Sequence, residues 1–188
     1  MEIEIIKALQ NTSSPFLDGF FRAVTYLGSV FAVLFVILLM FLICNKKYTI
    51  FMAICFGVSW GINEIAKLII KRPRPFTVST EIIQMVNANN FSMPSGHSFT
   101  VAFLACMVLY YVFTHCKNKS VKILTTIGVI SIALLVGLSR MYLGVHYLSD
   151  VLVGFTFGAL SAIMSVILFN FLIKKQKEKY GNQSNIKQ

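Results

Sequence analysis

One histidine of the chain is spaced from an aspartate in a way that allows nucleophilic chemistry. His146 and Asp150 are four residues apart. On a helix this spacing stacks both side chains on one face, so the carboxylate accepts the proton of one ring nitrogen and the other nitrogen keeps its lone pair. An aspartate near the start of a membrane-embedded helix is costly without such a partner. We therefore predict His146 as a nucleophile and Asp150 as the residue that orients it.

A second histidine follows a turn sequence at the start of an apolar run, Met93-Pro-Ser-Gly-His97. Such a turn into a helix leaves backbone N–H groups unpaired, and together with the helix dipole they attract an anion. The alternative, which is the ordinary role of such residues at a helix start, is that Ser95 is only an N-cap and Gly96 only a turn residue. His97 at the mouth of a bundle can hold a proton near neutral pH and give it to a leaving oxygen.

Three cations accompany the histidines. Lys67 and Arg74 lie at the end of an apolar run, where Pro73 and Pro75 stiffen the chain and fix where Arg74 points. Arg140 presents a planar fork that matches phosphate oxygens. The alternative for each is an anchoring role, in which its charged end reaches the lipid headgroups. Taken with the two histidines, the three cations predict a phosphate-binding site.

The elements that carry these residues are membrane helices. The chain of 188 residues is 56% hydrophobic and 13% charged, far from the roughly 25% charged residues of a globular domain. Apolar runs of about 20 residues are long enough to cross the hydrocarbon core as helices. Five such runs are present, at about 20–44, 48–70, 97–115, 121–139 and 148–173.

The fold class predicted from these runs is an all-α integral membrane bundle with all three polar clusters on one face of the membrane. The acidic N-terminus does not match a cleavable signal peptide. Residues 2–11 are instead predicted to form a short amphipathic interfacial helix before Pro15. We predict one transmembrane domain over residues 1–175 and a basic, disordered tail over 176–188.

Composition argues against several other classes of protein. The four cysteines, at 44, 55, 106 and 116, lie in or at the ends of spans without a C-x-x-C spacing, and we interpret them as packing residues. The net charge of +10 is divided among short loops and the tail. A nucleic-acid-binding protein would instead carry its cations on one surface. We therefore expect a membrane and a lipid as partners, and no nucleic acid.

Most of the lysines outside the polar clusters lie on one side and predict the orientation of the chain. They fall in alternate loops and in the tail: Lys46, Lys47, Lys117, Lys119, Lys122, Lys174, Lys175, Lys177 and Lys179. By the positive-inside rule these segments lie in the cytoplasm. The polar clusters would then emerge on the extracellular face of a bacterial plasma membrane, with the C-terminus inside.

The three clusters together resemble the type 2 phosphatidic acid phosphatase (PAP2) superfamily, in the form of a small bacterial membrane lipid phosphatase. Lys67 to Pro75 fits K-x6-RP, Pro94 to His97 is PSGH, and Ser139 to Asp150 fits SR-x5-H-x3-D. The motifs appear in the family's order without a mismatch, and the resemblance covers about residues 15–173.

The resemblance implies metal-independent hydrolysis of a lipid phosphate or pyrophosphate through a phosphohistidine, without a cofactor. Many members of that superfamily have six transmembrane helices, whereas this sequence has five apolar runs and a short N-terminal helix. Candidate lipids are undecaprenyl pyrophosphate, phosphatidylglycerol phosphate and phosphatidic acid. The roles it implies are His146 as nucleophile, Asp150 as its partner, His97 as acid, and phosphate binding by Lys67, Arg74, Ser95, Gly96 and Arg140.

Other functions remain open from the sequence. A transport or scaffold protein with a phosphate site would need the cations but neither histidine. A vanadium-dependent haloperoxidase has a similar site but is soluble, and a membrane-embedded phosphatase of soluble sugars is a further alternative.

Overall fold

The chain folds as a bundle of helices in the computed structural model. The structure describes residues 1–185, with side chains to Lys179, and is 79% helical. The helices are α1 (Glu2–Gln10), α2 (Pro15–Thr25), a 3-10 turn (Tyr26–Gly28), α3 (Val30–Ile43), α4 (Lys46–Ile70), α5 (Pro75–Val78), α6 (Gly96–His115), α7 (Lys119–Tyr142) and α8 (Leu148–Asn185).

Within residues 1–185, four segments are long and apolar enough to cross a membrane, namely Lys46–Val78, Gly96–His115, Lys119–Tyr142 and Leu148–Lys179. A fifth crossing results if Pro15–Gly28 and Val30–Ile43 are taken as one span bent by 52°. These spans confirm the all-α membrane bundle. The short N-terminal helix predicted over residues 2–11 is present as α1.

The first predicted span is not one continuous helix. Residues 20–44 instead divide between α2 and α3, because Ser29 is extended, with φ −84° and ψ 167°. The bend brings Gly28 against the site, where an added Cβ would lie 2.9 Å from Cβ of His97 and 2.9 Å from Cγ1 of Val136. The absence of a side chain at Gly28 therefore allows this bent segment to approach α6 and α7 closely.

The centre of the bundle is α6, which packs against α4, α7 and α8. Its buried Phe99, Phe103 and Met107 form a core with Met52 and Tyr48 of α4. On the α8 side, a Cβ at Gly158 would collide with the backbone carbonyl of Phe99. The small-residue spacing of Gly154 and Gly158 thus allows two helices that carry site residues to approach closely.

Helix ends on one side of the bundle meet at the polar clusters. α4 ends at Ile70 and is followed by Lys71, whose φ of 52° is left-handed, and α6 starts after Ser95. α7 ends near Tyr142 and α8 starts at Leu148. The opposite ends carry Asn45 and Asn118 as N-caps, close to the loop lysines. All three motifs therefore lie on one face, as the order of the apolar runs predicts.

The C-terminal segment continues as helix beyond the domain boundary placed at residue 175. α8 extends to Asn185, while residues 186–188 lie outside the described part of the chain. The division into a 1–175 domain and a 176–188 tail stays a prediction.

Candidate active site

A cavity of about 510 Å³ opens where these helix ends meet. Most of the side chains predicted from the motifs line it. The motif residues in its wall are Lys67, Arg74, Gly96, His97, Arg140 and His146.

His146 lies in the short segment between α7 and α8. Its backbone N–H donates to Arg140 O at 3.3 Å, and its side chain is 2% exposed. Nδ1 is 3.4 Å from Asp150 Oδ2, and Nε2 is 3.5 Å from Nη1 of Arg74. His146 precedes α8, so the predicted pair forms between this segment and the first turn of the helix rather than along one helix.

The environment of His146 keeps its imidazole neutral. Burial lowers its pKa to about 3, with the charges of Arg140 and Arg74 acting in the same direction against the carboxylate of Asp150. Because the carboxylate can only accept, Nδ1 carries the proton in this pair. Nε2 then keeps its lone pair on a residue that lines the cavity, which is the state a nucleophile requires.

Asp150 is completely buried behind His146 and lies outside the cavity wall. Its Oδ2 accepts the backbone N–H of Tyr147 at 2.9 Å, in addition to the contact with His146. Its Oδ1 accepts Nη1 of Arg72 at 2.6 Å. Both carboxylate oxygens are therefore fixed, and the orientation of His146 depends on groups from two other segments.

Arg74 is held by backbone carbonyls. Nε donates to Asn90 O and Nη2 to Asn89 O, each at 2.9 Å, and Nη1 donates to Val145 O at 2.8 Å. These neutral partners leave the positive charge of the guanidinium uncompensated beside His146. The charge is thus available for an anion in the cavity.

Lys67 lies at the last turn of α4 and pairs with Glu64 at 2.6 Å. Both residues line the cavity. A Cβ built on Gly96 would be 3.5 Å from Nζ of Lys67, so this ammonium lies directly against the start of α6. Lys67 and the N-terminus of α6 therefore present positive charge to the same point.

Arg140 is buried and lines the same cavity. Its Nη1 donates to Oγ1 of Thr25 at 2.7 Å. Among the described residues, its Nε–H has no hydrogen-bond partner. An unpaired buried donor on a charged group costs free energy unless a ligand satisfies it. Arg140 is thus arranged to receive an anion.

The Pro-Ser-Gly-His turn contributes its residues unequally. His97 and Gly96 line the cavity, whereas Ser95 is fully buried outside its wall. Oγ of Ser95 accepts the backbone N–H of Ser98 at 3.4 Å and its hydroxyl at 3.0 Å. The N-cap interpretation describes this geometry, and phosphate contact by Ser95 stays a prediction.

Three residues that were not predicted from the sequence hold the predicted ones in place. Arg72 and Glu2 join Asp150 in a chain of ion pairs, and Thr25 fixes Arg140. The position of Arg72 inside the first motif was an available signal, since Arg72 shares the Pro-rich end of that motif with Arg74. No local pattern marks Thr25, because its partner is 115 residues away.

The inner part of the cavity is apolar. Its wall continues from the cations to Val30 of α3 and to Phe56, Gly57 and Trp60 of α4. Trp60 is also 46% exposed. The cavity therefore joins a cationic end to an apolar end between two membrane helices, a combination suited to an amphiphile with an anionic head.

The family model of the PAP2 superfamily matches residues 49–174. The chain belongs to the PAP2 superfamily. This PAP2 protein is 33% identical over 181 residues to phosphatidylglycerophosphatase B of Bacillus subtilis, over 93% of this chain and 82% of that protein. It is 30% identical over 123 residues to undecaprenyl-diphosphatase of Sulfolobus acidocaldarius, over 65% of this chain and 55% of that protein.

A solved structure supports the same assignment. The crystal structure of a transmembrane PAP2 type phosphatidylglycerolphosphate phosphatase from Bacillus subtilis matches with a TM-score of 0.80 at 30% identity. The match covers 90% of this chain and 84% of that chain. The PAP2 protein described here is thus a multi-pass membrane enzyme of a lipid phosphatase family.

Proposed function

We propose that this PAP2 enzyme removes phosphate from a lipid phosphate or pyrophosphate through a phosphohistidine on His146, without a metal. The observation that carries the proposal is the position of Nε2 of His146, which faces the cavity and Arg74 at 3.5 Å while Nδ1 contacts Asp150. Lys67, Arg140 and the N-terminus of α6 surround the same space. Phosphoryl transfer needs little more than a positioned nucleophile and fixed positive charge.

In the first step, the lone pair on Nε2 of His146 attacks phosphorus, forming a P–N bond as the bond to the leaving oxygen breaks. His97 gives its proton to that oxygen, which departs as an alcohol or, for a pyrophosphate, as a lipid monophosphate. The equatorial oxygens carry the developing charge. Lys67, Arg74, Arg140 and the Gly96 N–H stabilise them, with Ser95 at the same helix N-terminus.

In the second step, water attacks the phosphohistidine and gives a proton to His97. The P–N bond breaks, its electrons return to Nε2, and inorganic phosphate leaves. His146 is again neutral with its proton on Nδ1. Asp150 holds the ring in that tautomer throughout, as the carboxylate does in nucleophile–histidine–acid arrangements.

The lipid nature of the substrate is supported by the apolar end of the cavity. Val30, Phe56, Gly57 and Trp60 continue from the phosphate end toward the outside of the bundle. A lipid whose tail stays among the hydrocarbon chains can place its phosphate among the cations without leaving the membrane. A sugar phosphate has no group for this apolar wall.

Undecaprenyl pyrophosphate, phosphatidylglycerol phosphate and phosphatidic acid are the proposed substrates. The relative with greater coverage is named for phosphatidylglycerophosphate and the other for undecaprenyl diphosphate. The site holds three cations against Glu64 in its wall, a balance that accommodates a phosphate dianion and leaves the choice among these lipids to experiment.

We propose that the cavity faces the extracellular side of a bacterial plasma membrane. The lysines at 46, 47, 117, 119, 122 and 174–179 lie at the opposite end of the bundle. The positive-inside rule assigns that end to the cytoplasm. The proposed division of the chain places a single catalytic domain at 1–175 and a basic cytoplasmic tail at 176–188.

A phosphate-binding membrane protein without turnover is the alternative of another class. It would use the cations but would gain nothing from a fully buried Asp150 that fixes the tautomer of His146. The pairing of these two residues favours the enzyme.

The test is phosphate release by the purified protein in detergent with EDTA, measured in parallel on the three lipids and repeated with His146→Ala. Release from at least one lipid that survives EDTA and disappears in the variant is the expected result. Equal release by His146→Ala, or loss of release with EDTA that returns on adding a divalent cation, contradicts the proposal.

A further inference from the structure

Arg72 connects the buried aspartate of the active site to the N-terminal helix. One amino group of its guanidinium, Nη1, donates to Asp150 Oδ1 at 2.6 Å and to Ser149 Oγ at 2.6 Å. Its carbon Cζ lies 4.0 Å from the centre of the Tyr147 ring. Arg72 therefore contacts Tyr147 and the first turn of α8 without lining the cavity itself.

Glu2 of α1 completes this chain of contacts. Its Oε2 accepts Nη2 of Arg72 at 2.7 Å, and its Oε1 accepts the backbone N–H of Ser149 at 2.8 Å. Burial raises the pKa of Glu2, but the hydrogen bonds from Ser149 and Arg72 outweigh it and leave that pKa below the ordinary value. Glu2 thus holds both the partner of Asp150 and the first turn of α8.

The rest of α1 is fixed to the same side of the bundle. Ile6 is fully buried against Ile82, Met141 and Tyr147. At the end of the helix, Nε2 of Gln10 donates to Ile83 O at 2.8 Å and to Tyr142 O at 3.0 Å. Both ends of α1 therefore bind segments that flank His146, which makes this helix part of the active-site support.

We propose that Arg72 and Glu2 are positioning residues for the PAP2 reaction, and that α1 acts through them to hold Asp150 in the orientation that His146 requires. Of the two carboxylate oxygens of Asp150, Oδ1 accepts a hydrogen bond from Arg72. Without that bond the carboxylate rotates away from Nδ1, so the ring loses the tautomer that leaves Nε2 free. Neither residue touches the substrate.

This inference depends on the proposed nucleophilic role of His146. It predicts a kinetic effect different from that of losing a phosphate-binding residue. A residue that orients the nucleophile affects the rate of the chemical step, whereas a phosphate-binding residue also affects affinity. In metal sites, groups that orient a ligating imidazole from behind contribute roughly 10-fold to 100-fold to affinity or activity, and we expect an effect of similar size here. Loss of Arg72 should therefore lower kcat and leave binding of phosphate analogues intact.

The experiment compares Glu2→Gln, Arg72→Gln, Arg72→Lys and the double variant Glu2→Gln/Arg72→Gln in full-length protein. Lys7→Gln is the matched control, because Lys7 also joins α1 to the rest of the bundle, through Glu81 at 2.7 Å, but has no contact with Asp150. Measured quantities are kcat and KM on a water-soluble phosphate ester, inhibition by vanadate, and the unfolding temperature.

We expect kcat to fall roughly tenfold in Arg72→Gln and severalfold in Glu2→Gln, with KM and vanadate inhibition within about twofold of wild type. Arg72→Lys should recover part of kcat, Lys7→Gln should retain wild-type kcat, and adding Glu2→Gln to Arg72→Gln should cost less than Glu2→Gln alone. An unchanged kcat in Glu2→Gln and Arg72→Gln overturns the inference, as does an equal loss of vanadate binding.

The nearly isosteric Glu2→Gln variant keeps the test valid if Arg72→Gln fails to fold, because Glu2 is partly exposed. Failure of the inference is also distinct from failure of the proposed function. If wild type is active, His146→Ala is inactive and both Glu2→Gln and Arg72→Gln behave as wild type, only the positioning role is lost.

Discussion

Nε2 of His146 lies 3.5 Å from Nη1 of Arg74. The guanidinium stays protonated at any working pH and has no acceptor to offer, so this approach disfavours a proton on Nε2. Asp150 on the other side of the ring holds the proton on Nδ1. The imidazole between them is therefore prepared to accept a bond to phosphorus rather than a proton.

The low pKa of His146 in the folded protein should make the protein less stable in acid, because the unfolded state takes up the proton more readily. Burial lowers its pKa to about 3, whereas an unfolded histidine has a pKa of about 6.5. Because the unfolded state binds the proton first, this stabilisation is complete above about pH 6.5 and is lost progressively as the pH falls toward 3. At about pH 5 the loss amounts to about 2 kcal/mol.

The measurement is the unfolding temperature of wild type and His146→Asn in detergent at about pH 7.5 and about pH 5. The decrease on acidification should be larger in wild type than in the variant by about 5 °C. Equal decreases in the two proteins would show that His146 gains no proton on unfolding in this range.

A side chain at Gly57 should block the lipid tail without harming the fold. Gly57 lines the apolar end of the cavity, and a Cβ built there meets nothing within 4 Å. Leucine at this position fills space that the tail would occupy. Gly57→Leu should lower kcat/KM on a long-chain lipid roughly tenfold or more and change hydrolysis of a soluble phosphate ester by less than about twofold.

Gly61→Leu is the matched control for that variant. Gly61 lies one turn further along α4, also has open space at its Cβ position, and does not line the cavity. Its kinetics on both substrates should resemble those of wild type. Equal losses on lipid and soluble ester in Gly57→Leu contradict the assignment of the tail to this part of the cavity.

Gly158→Ala should separate two helices of the site. The new Cβ would collide with the backbone carbonyl of Phe99, which cannot move without shifting α6. Such overpacking costs about 1–3 kcal/mol. Since α6 carries His97 and α8 carries Asp150, kcat should fall together with the unfolding temperature.

Gly128→Ala provides the comparison, because a Cβ there meets nothing within 4 Å. Alanine is a better helix former than glycine by about 1 kcal/mol, so this variant should unfold at or above the wild-type temperature. A wild-type unfolding temperature for Gly158→Ala would mean that α6 and α8 are less tightly fixed than the structure indicates.

The motifs and the apolar runs predicted the parts of this structure that depend on local sequence. Runs of about 20 apolar residues identified α4, α6, α7 and α8, since a membrane helix must satisfy its own backbone. Alternation of the runs placed Lys67, His97 and His146 on one face. The four-residue spacing identified the pair of His146 and Asp150, although His146 lies before the helix.

The parts that sequence could not provide depend on contacts between distant segments. The bend at Ser29 brings Gly28 against His97, a contact between distant parts of the chain that the sequence around Gly28 and Ser29 does not indicate. Arg72 contacts Glu2, which is 70 positions away in the chain, and Asp150, which is 78 positions away. Such pairs become visible only when the helices are assembled.

The most direct test of the central claim is to trap the phosphorylated enzyme. A rapid quench with alkali during turnover of a lipid whose phosphoryl group is radioactive should leave label on the wild-type protein. The label should survive alkali and be released by acid, as expected for a P–N bond, and His146→Ala should carry none. Label retained by His146→Ala, or an acid-stable label on wild type, would contradict His146 as the nucleophile.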